Sequence, residues 1–151
     1  MKQMDALQKL EQYVNMPSGS ADLEGLAFVS VVEKDMQALG FTVTRHPMAG
    51  RGDALECVYG DGEDTLLLIG HMDTVFAREE NQPFAVDGDR LTGSGVMDMK
   101  GGVLIMQAAL AEVLPTMPKR MRVVAILSAD EEIGSEGCSG VITKWAKQAF
   151  A

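Results

Sequence analysis

Basic residues are scarce in this sequence: 13 Lys and Arg stand against 22 Asp and Glu, for a net charge of -9. Nucleic acid is bound by clustered cations that displace counterions, so this balance argues against such a partner. Cysteines number two, Cys57 and Cys138, with no C-x-x-C pair. That argues against a zinc ribbon or a disulfide framework and leaves two packed thiols. Long apolar stretches are missing too, since no run approaches the ~18 residues of a membrane span. The N-terminal MKQMDALQKLEQYV mixes charged and apolar residues where a secretory signal would be continuously apolar. A cytoplasmic protein with no membrane or nucleic-acid partner is the expectation. Internal repeats and low-complexity linkers are equally lacking. The 151 residues, 46% of them hydrophobic, are therefore expected to form a single domain around one core.

What is present reads as alternating helices and strands. Leu7, Leu10 and Val14 form a short helical stripe that NMPSGS interrupts with a proline, a glycine and two serines. Ser20 or Asp22 can cap a second helix, in which Leu26, Val29, Val32, Met36 and Leu39 recur at spacings of three and four before Gly40. Residues 41–46 (FTVTRH) and 54–59 (ALECVY) alternate like strands around the turn MAGRGD, and are expected as an exterior hairpin. Residues 65–69 (TLLLI) and 122–127 (RVVAIL) are nearly continuous apolar runs, as strands covered on both faces would be. Between them lie FAVDGDRLTG, with a hairpin turn at Asp87-Gly88, and an apolar helix expected over about 99–114 and closed by Pro115. A crossover of that length implies a parallel pair with a right-handed connection. The fold class is therefore α/β, with a mixed, mainly parallel central sheet and helices on both faces.

In such folds ligands collect beyond the carboxyl ends of the parallel strands. Gly70-His71-Met72-Asp73 follows the first buried run, and Asp130-Glu131-Glu132 follows the second. GSGVMDMKGG places Asp98 among four glycines at the start of the crossover helix. His71 and Asp73, two apart on an extended strand, leave the same face. Asp73 can then hold the second ring nitrogen of a metal-bound His71 and fix its tautomer. Each motif alone also has a plainer reading: a polar surface turn for His71 and Asp73, a helix cap for Asp98, a solvated acidic loop for the DEE run. A cation at the sheet edge would turn three mutually repelling carboxylates into a stabilising cluster. GSGVMD is a poor dinucleotide fingerprint, because Asp98 places an anion where pyrophosphate would sit. No P-loop and no G-x-S-x-G elbow is present. His46, in the expected outer hairpin, reads as a surface residue.

Taken in series, GHMDTVF from Gly70, PFAVDGDRLTGSGVMDMKGG from Pro83 and SADEEIGSEG from Ser128 resemble one family. It is the two-zinc metallopeptidase family of glutamate carboxypeptidases, acetylornithine deacetylases and succinyl-diaminopimelate desuccinylases, and the DGDRLTGSG segment resembles its glutamate carboxypeptidase-like branch. The resemblance implies metal ligation by His71, Asp98 and Glu132, with Asp98 shared between two zinc ions for which cobalt can substitute. It also implies Asp73 as the partner of His71, Glu131 as general base, and a cis peptide bond from Asp98 to Met99. The implied activity is hydrolysis of an amide or peptide bond that releases a C-terminal amino acid, glutamate being the leading candidate. The alternatives are an N-acyl amino acid deacylase or dipeptidase and, from another class, a non-catalytic metal-binding or interaction module. Family members carry a further carboxylate ligand and a second histidine ligand downstream, and an inserted dimerisation domain that makes a homodimer. Residues 1–151 are accordingly expected to be the N-terminal part of a zinc peptidase catalytic domain, binding metal weakly or not at all and inactive alone.

Overall fold

The computed structural model describes residues 3–22 and 26–150. Helix α1 (Gln3–Val14) and helix α2 (Leu26–Ala38) precede three strands, β1 (Thr42–His46), β2 (Ala54–Tyr59) and β3 (Asp64–His71). A small hairpin of β4 (Ala85–Asp87) and β5 (Arg90–Thr92) then leads into helix α3 (Gly101–Val113), strand β6 (Met121–Ser128) and helix α4 (Ser139–Ala146). The main sheet has the order β1-β2-β6-β3.

Strand β6 explains why this sheet needs helices on both faces. Val123, Ala125 and Leu127 point into a core shared with Tyr13 and Val14 of α1, Phe28, Val29, Val32 and Met36 of α2, and Val103 and Leu110 of α3. The alternate residues Val124 and Ile126 point the other way, onto Cys138 and Trp145 beside and on α4. Strand periodicity thus splits one apolar run between two cores, and each fully buried Val, Ile or Leu contributes about 1.5–3 kcal/mol. Both cysteines lie buried as free thiols.

Strands β3 and β6 pair in parallel from Asp64↔Met121 to His71↔Ser128, with the β4–β5 hairpin and α3 in the crossover. The sheet is mixed as expected, and its parallel character is confined to this pair, because β1–β2 and β2–β6 are antiparallel. The 41–46/54–59 hairpin does form, yet it is not exterior: β2 sits inside the sheet beside β6. Glu56 gives that strand its half-polar look, and it is satisfied there by Trp145 Nε1, Lys144 Nζ and His46 Nε2. Strand β3 packs Leu66 and Leu68 into one core and Leu67 into the other, as expected of a strand covered on both faces, but it lies at the edge of this sheet and leaves Ile69 53% exposed.

Smaller differences have local causes. Leu7 is exposed, and Tyr13 takes its place in the buried stripe of α1, meeting Phe28 edge-on at 5.1 Å. The side chain of Leu26 and residues 23–25, where a helix capped by Asp22 would begin, lie outside the described residues. The Ser20 hydroxyl donates to Asp73, and the N–H groups that it could cap lie partly outside the described residues. The β4–β5 turn is centred on Gly88-Asp89, with Gly88 at φ 57 as a two-residue hairpin of this kind requires. Helix α3 starts at Gly101 rather than near Met99, because Asp98 and Met99 have non-helical backbone angles.

Candidate metal centre

The sheet edge at the carboxyl ends of β3 and β6 gathers side chains from three loops. His71 is the last residue of β3 and is buried, with a side chain only 6% exposed. Its Nε2 lies 2.8 Å from Asp98 Oδ1 and 3.9 Å from Glu131 Oε2. One donor atom from each of His71, Asp98 and Glu132 falls within 4.8 Å of the others. Asp98 reaches this point from a kinked turn, Val96–Lys100, whose Asp98–Met99 peptide is cis, as the resemblance implies. Gly95 opens the turn at φ 74, and a Cβ there would press on Thr74 and on the Lys100 side chain. With its side chain 74% exposed, Asp98 is directed to the open side of the cluster and caps no helix.

Asp73 is the buried hub behind these groups. Its Oδ2 accepts from Ser20 Oγ at 2.7 Å and from the Glu132 N–H at 3.1 Å, while Oδ1 accepts from the Glu131 N–H at 3.2 Å. His71 Nδ1 lies 3.0 Å from the Asp73 carbonyl oxygen and 3.4 Å from Oδ1. One carboxylate thereby sets the imidazole and the turn carrying both glutamates. Burial would raise the Asp73 carboxyl, but the bonds from His71, Ser20 and the two backbone N–H groups outweigh it and hold it below the ordinary range.

The charges at the open side fit a cation. Burial alone would push the imidazole of His71 down, yet Asp73 and Asp98 hold it up at about 9. Burial raises the Glu132 carboxyl, the facing His71 opposes that shift, and the charges of Asp98, Asp73 and Glu131 add to it. Crowded carboxylates with one imidazole, the latter braced through its second nitrogen, make an N/O donor set suited to zinc and similar metals.

Asp130, expected within the same acidic cluster, is turned away from it. It is fully buried, its Oδ2 accepting from Arg51 at 3.0 Å and from the Gly137 N–H at 2.7 Å. His46 pairs with Glu56 in the sheet, remote from the cluster in the strand order. Sequence reasoning missed Ser20 and Arg51 as supports of the site, and no spacing rule joins either residue to its partner. Beside Glu132 opens a cleft of ≈ 710 Å³, walled by Ser20, Thr74, Phe76, Arg78 and Ile133.

The chain is similar to several known proteins. The family model described as peptidase family M20/M25/M40 matches residues 67–151, more than half of the chain and all of the cluster. Carboxypeptidase G2 of Pseudomonas sp. (strain RS-16) is 36% identical over 155 residues, covering 98% of this chain and 37% of its own length. Succinyl-diaminopimelate desuccinylase of Gluconobacter oxydans (strain 621H) is 37% identical over 105 residues, covering 64% of this chain and 27% of its own. Among solved structures, an M20 family metallo-carboxypeptidase from Sulfolobus solfataricus superposes with a TM-score of 0.79 at 22% identity. That match covers 100% of this chain and 36% of the other, so the chain spans about a third of the length of these proteins.

Proposed function

The chain belongs to peptidase family M20/M25/M40, and on that premise we propose that it carries the metal-binding edge of a zinc hydrolase that cleaves an amide or peptide bond. The observation that carries the reading is the convergence of His71, Asp98 and Glu132 within 4.8 Å, with Glu131 beside them. In this reading those three residues would hold the two zinc ions. Bound zinc supplies Lewis-acid polarisation of the scissile carbonyl and lowers the pKa of water.

The chain's own groups do the rest. Glu131, with its side chain 53% exposed beside His71, takes a proton from the attacking water and returns it to the leaving amine. Asp73 holds the ring of His71 in one orientation and, through the two backbone N–H groups, keeps Glu131 and Glu132 facing it. The cleft beside Glu132 receives the substrate, and the enclosing side chains exclude water from one flank. The 36% identity to a carboxypeptidase over nearly the whole chain supports release of a C-terminal amino acid, with glutamate the first candidate. The 37% identity to a desuccinylase favours N-acyl amino acid deacylation as the second reading.

These activities belong, in this reading, to a longer protein in which residues 1–151 form the N-terminal part of the catalytic domain. Among the described residues each of two zinc ions would find only two protein ligands, drawn from His71, Asp98 and Glu132, where a catalytic zinc ordinarily keeps three. The 151-residue chain should bind zinc weakly and turn over no substrate. The test is the full-length gene product loaded with zinc or cobalt, assayed against acyl-glutamates, acetylornithine and dipeptides. Glu131→Gln should lose at least about 100-fold in kcat while retaining its metal. Unchanged turnover in that variant would remove Glu131 from the chemistry.

A further inference from the structure

Lys100 is buried to 0% exposure, two residues after Asp98, with no carboxylate partner among the described residues. Its ammonium donates to the Met16 carbonyl oxygen at 2.6 Å and lies 4.7 Å over the Phe28 ring. Burying a cation in this way is costly. A methionine would fill the same apolar space without that cost. The partner it reaches explains the arrangement.

Met16 is the second residue of the NMPSGS segment, which leaves α1 and runs along the base of the cluster. Ser18 accepts the Thr74 N–H through its carbonyl at 2.9 Å, the Ser20 N–H donates to the Thr74 carbonyl at 3.2 Å, and the Ser20 hydroxyl donates to Asp73 at 2.7 Å. Gly19 pairs with Thr74 so closely that a Cβ would collide with the Phe76 carbonyl. The same short segment is therefore bonded at one end to the turn that carries Asp98 and at the other to the loop that follows His71.

We propose that residues 16–20 are a strap that sets the distance between the His71 loop and the Asp98 turn, with Lys100 and Ser20 as its positioning residues. The strap rests on the metal-centre reading for its purpose, but its mechanical content is independent of any metal. The Lys100 ammonium fixes the Asp98 turn to the strap, and Ser20 fixes the strap to Asp73, which in turn orients His71, Glu131 and Glu132.

The test uses the 151-residue chain and two readouts. In metal-free buffer, amide hydrogen exchange is followed residue by residue in the wild type, Lys100→Met, Ser20→Ala and Lys100→Arg. Lys100→Met should speed exchange at Thr74, Glu131 and Glu132 about 10-fold while Val124 and Ala125 in β6 stay within about 2-fold of wild type. Ser20→Ala should speed the Lys100 amide, which bonds Gly95, from the far end of the strap. Lys100→Arg, which keeps the charge and a donor, should recover most of the protection. Acceleration spread evenly into β6, or confined to residues 16 and 100, overturns the strap. The second readout is cobalt titration by visible absorption, where Lys100→Met should weaken Kd about 10-fold or more. A wild-type chain that takes up no cobalt at millimolar concentration counts against the metal centre, and the exchange pattern still decides the strap.

Discussion

Replacing Asp73 with asparagine keeps the shape of the side chain and removes its charge, so the cost follows from the donors around it. Ser20 Oγ and the Glu132 N–H meet Oδ2, while the Glu131 N–H and the His71 ring meet Oδ1. An asparagine has one acceptor oxygen and one amino group. In its better orientation the oxygen takes the Oδ1 position and the amino group faces Ser20, whose hydroxyl can turn to accept. The Glu132 N–H is then left opposite another donor. A buried unsatisfied donor costs about 1–3 kcal/mol, and the remaining bonds lose their charge-assisted strength, for a total of about 2–4 kcal/mol. At this chain length each kcal/mol shifts Tm by about 2–4 °C, so Asp73→Asn should melt about 5–15 °C below wild type at neutral pH.

The pH dependence supplies a second check on the same substitution. The folded-state pKa of Asp73 is depressed, so its stabilisation is present above the unfolded value of about 3.9 and is lost as pH falls through the folded value. The gap between wild type and Asp73→Asn should therefore narrow below about pH 4. His71 runs the other way. Its pKa is raised to about 9, so that stabilisation is complete below about 6.5 and is lost as pH rises through about 9. Removing the Asp73 charge should lower the His71 titration midpoint, which its ring proton resonances report. Scanning calorimetry across pH measures both. A variant melting within about 2 °C of wild type at neutral pH, or a gap that is constant down to about pH 3, would refute the hub role of Asp73.

Two further predictions concern the opposite face of the sheet and the thiols. Burial would raise Glu56, but Lys144, Trp145 and His46 outweigh it and lower its pKa. Glu56→Gln should thus cost about 2 kcal/mol at neutral pH and progressively less as pH falls through the folded value of the carboxyl. Urea unfolding of the two proteins checks this, and equal midpoints at neutral pH would contradict it. Burial pushes Cys57 to about 12 and Cys138 to about 11, with nearby carboxylates adding to both. Neither thiol should react with a disulfide reagent at about pH 8 until the chain is unfolded, and rapid labelling of the native protein would show that one is accessible.

Much of the frame was legible because it rests on local rules. The runs at 65–69 and 122–127 are apolar at consecutive positions, and the separation between them is filled by a hairpin and a helix, which leaves parallel pairing as the economical connection. What a run cannot tell is how many neighbours a strand has. TLLLI and RVVAIL look alike, yet β6 is interior and β3 lies at the sheet's edge. ALECVY misled in the opposite direction. Its alternation suits an exterior strand, while Trp145, one of the residues that satisfy Glu56, lies 89 positions away. Long-range polar pairing leaves no periodic trace.

The acidic run shows the same limit at the site. Asp130, Glu131 and Glu132 are chemically near-equivalent in sequence, and neighbouring carboxylates would be expected to share a fate. The end of β6 separates them. Asp130, at φ -146 and ψ 21, turns its side chain inward to Arg51 and the Gly137 N–H, where it ties down the following loop. The single tight turn Glu131–Ile133 then swings the next two residues outward, and their backbone N–H groups grip Asp73 from the other strand. That grip aims Glu132 at His71 and Asp98 and leaves Glu131 more open beside the imidazole. Side-chain type therefore selects the candidates, but the division into an anchor, a ligand candidate and a base candidate is made by backbone direction at the strand end. A substitution that reversed that turn would scramble the roles with every carboxylate still in place.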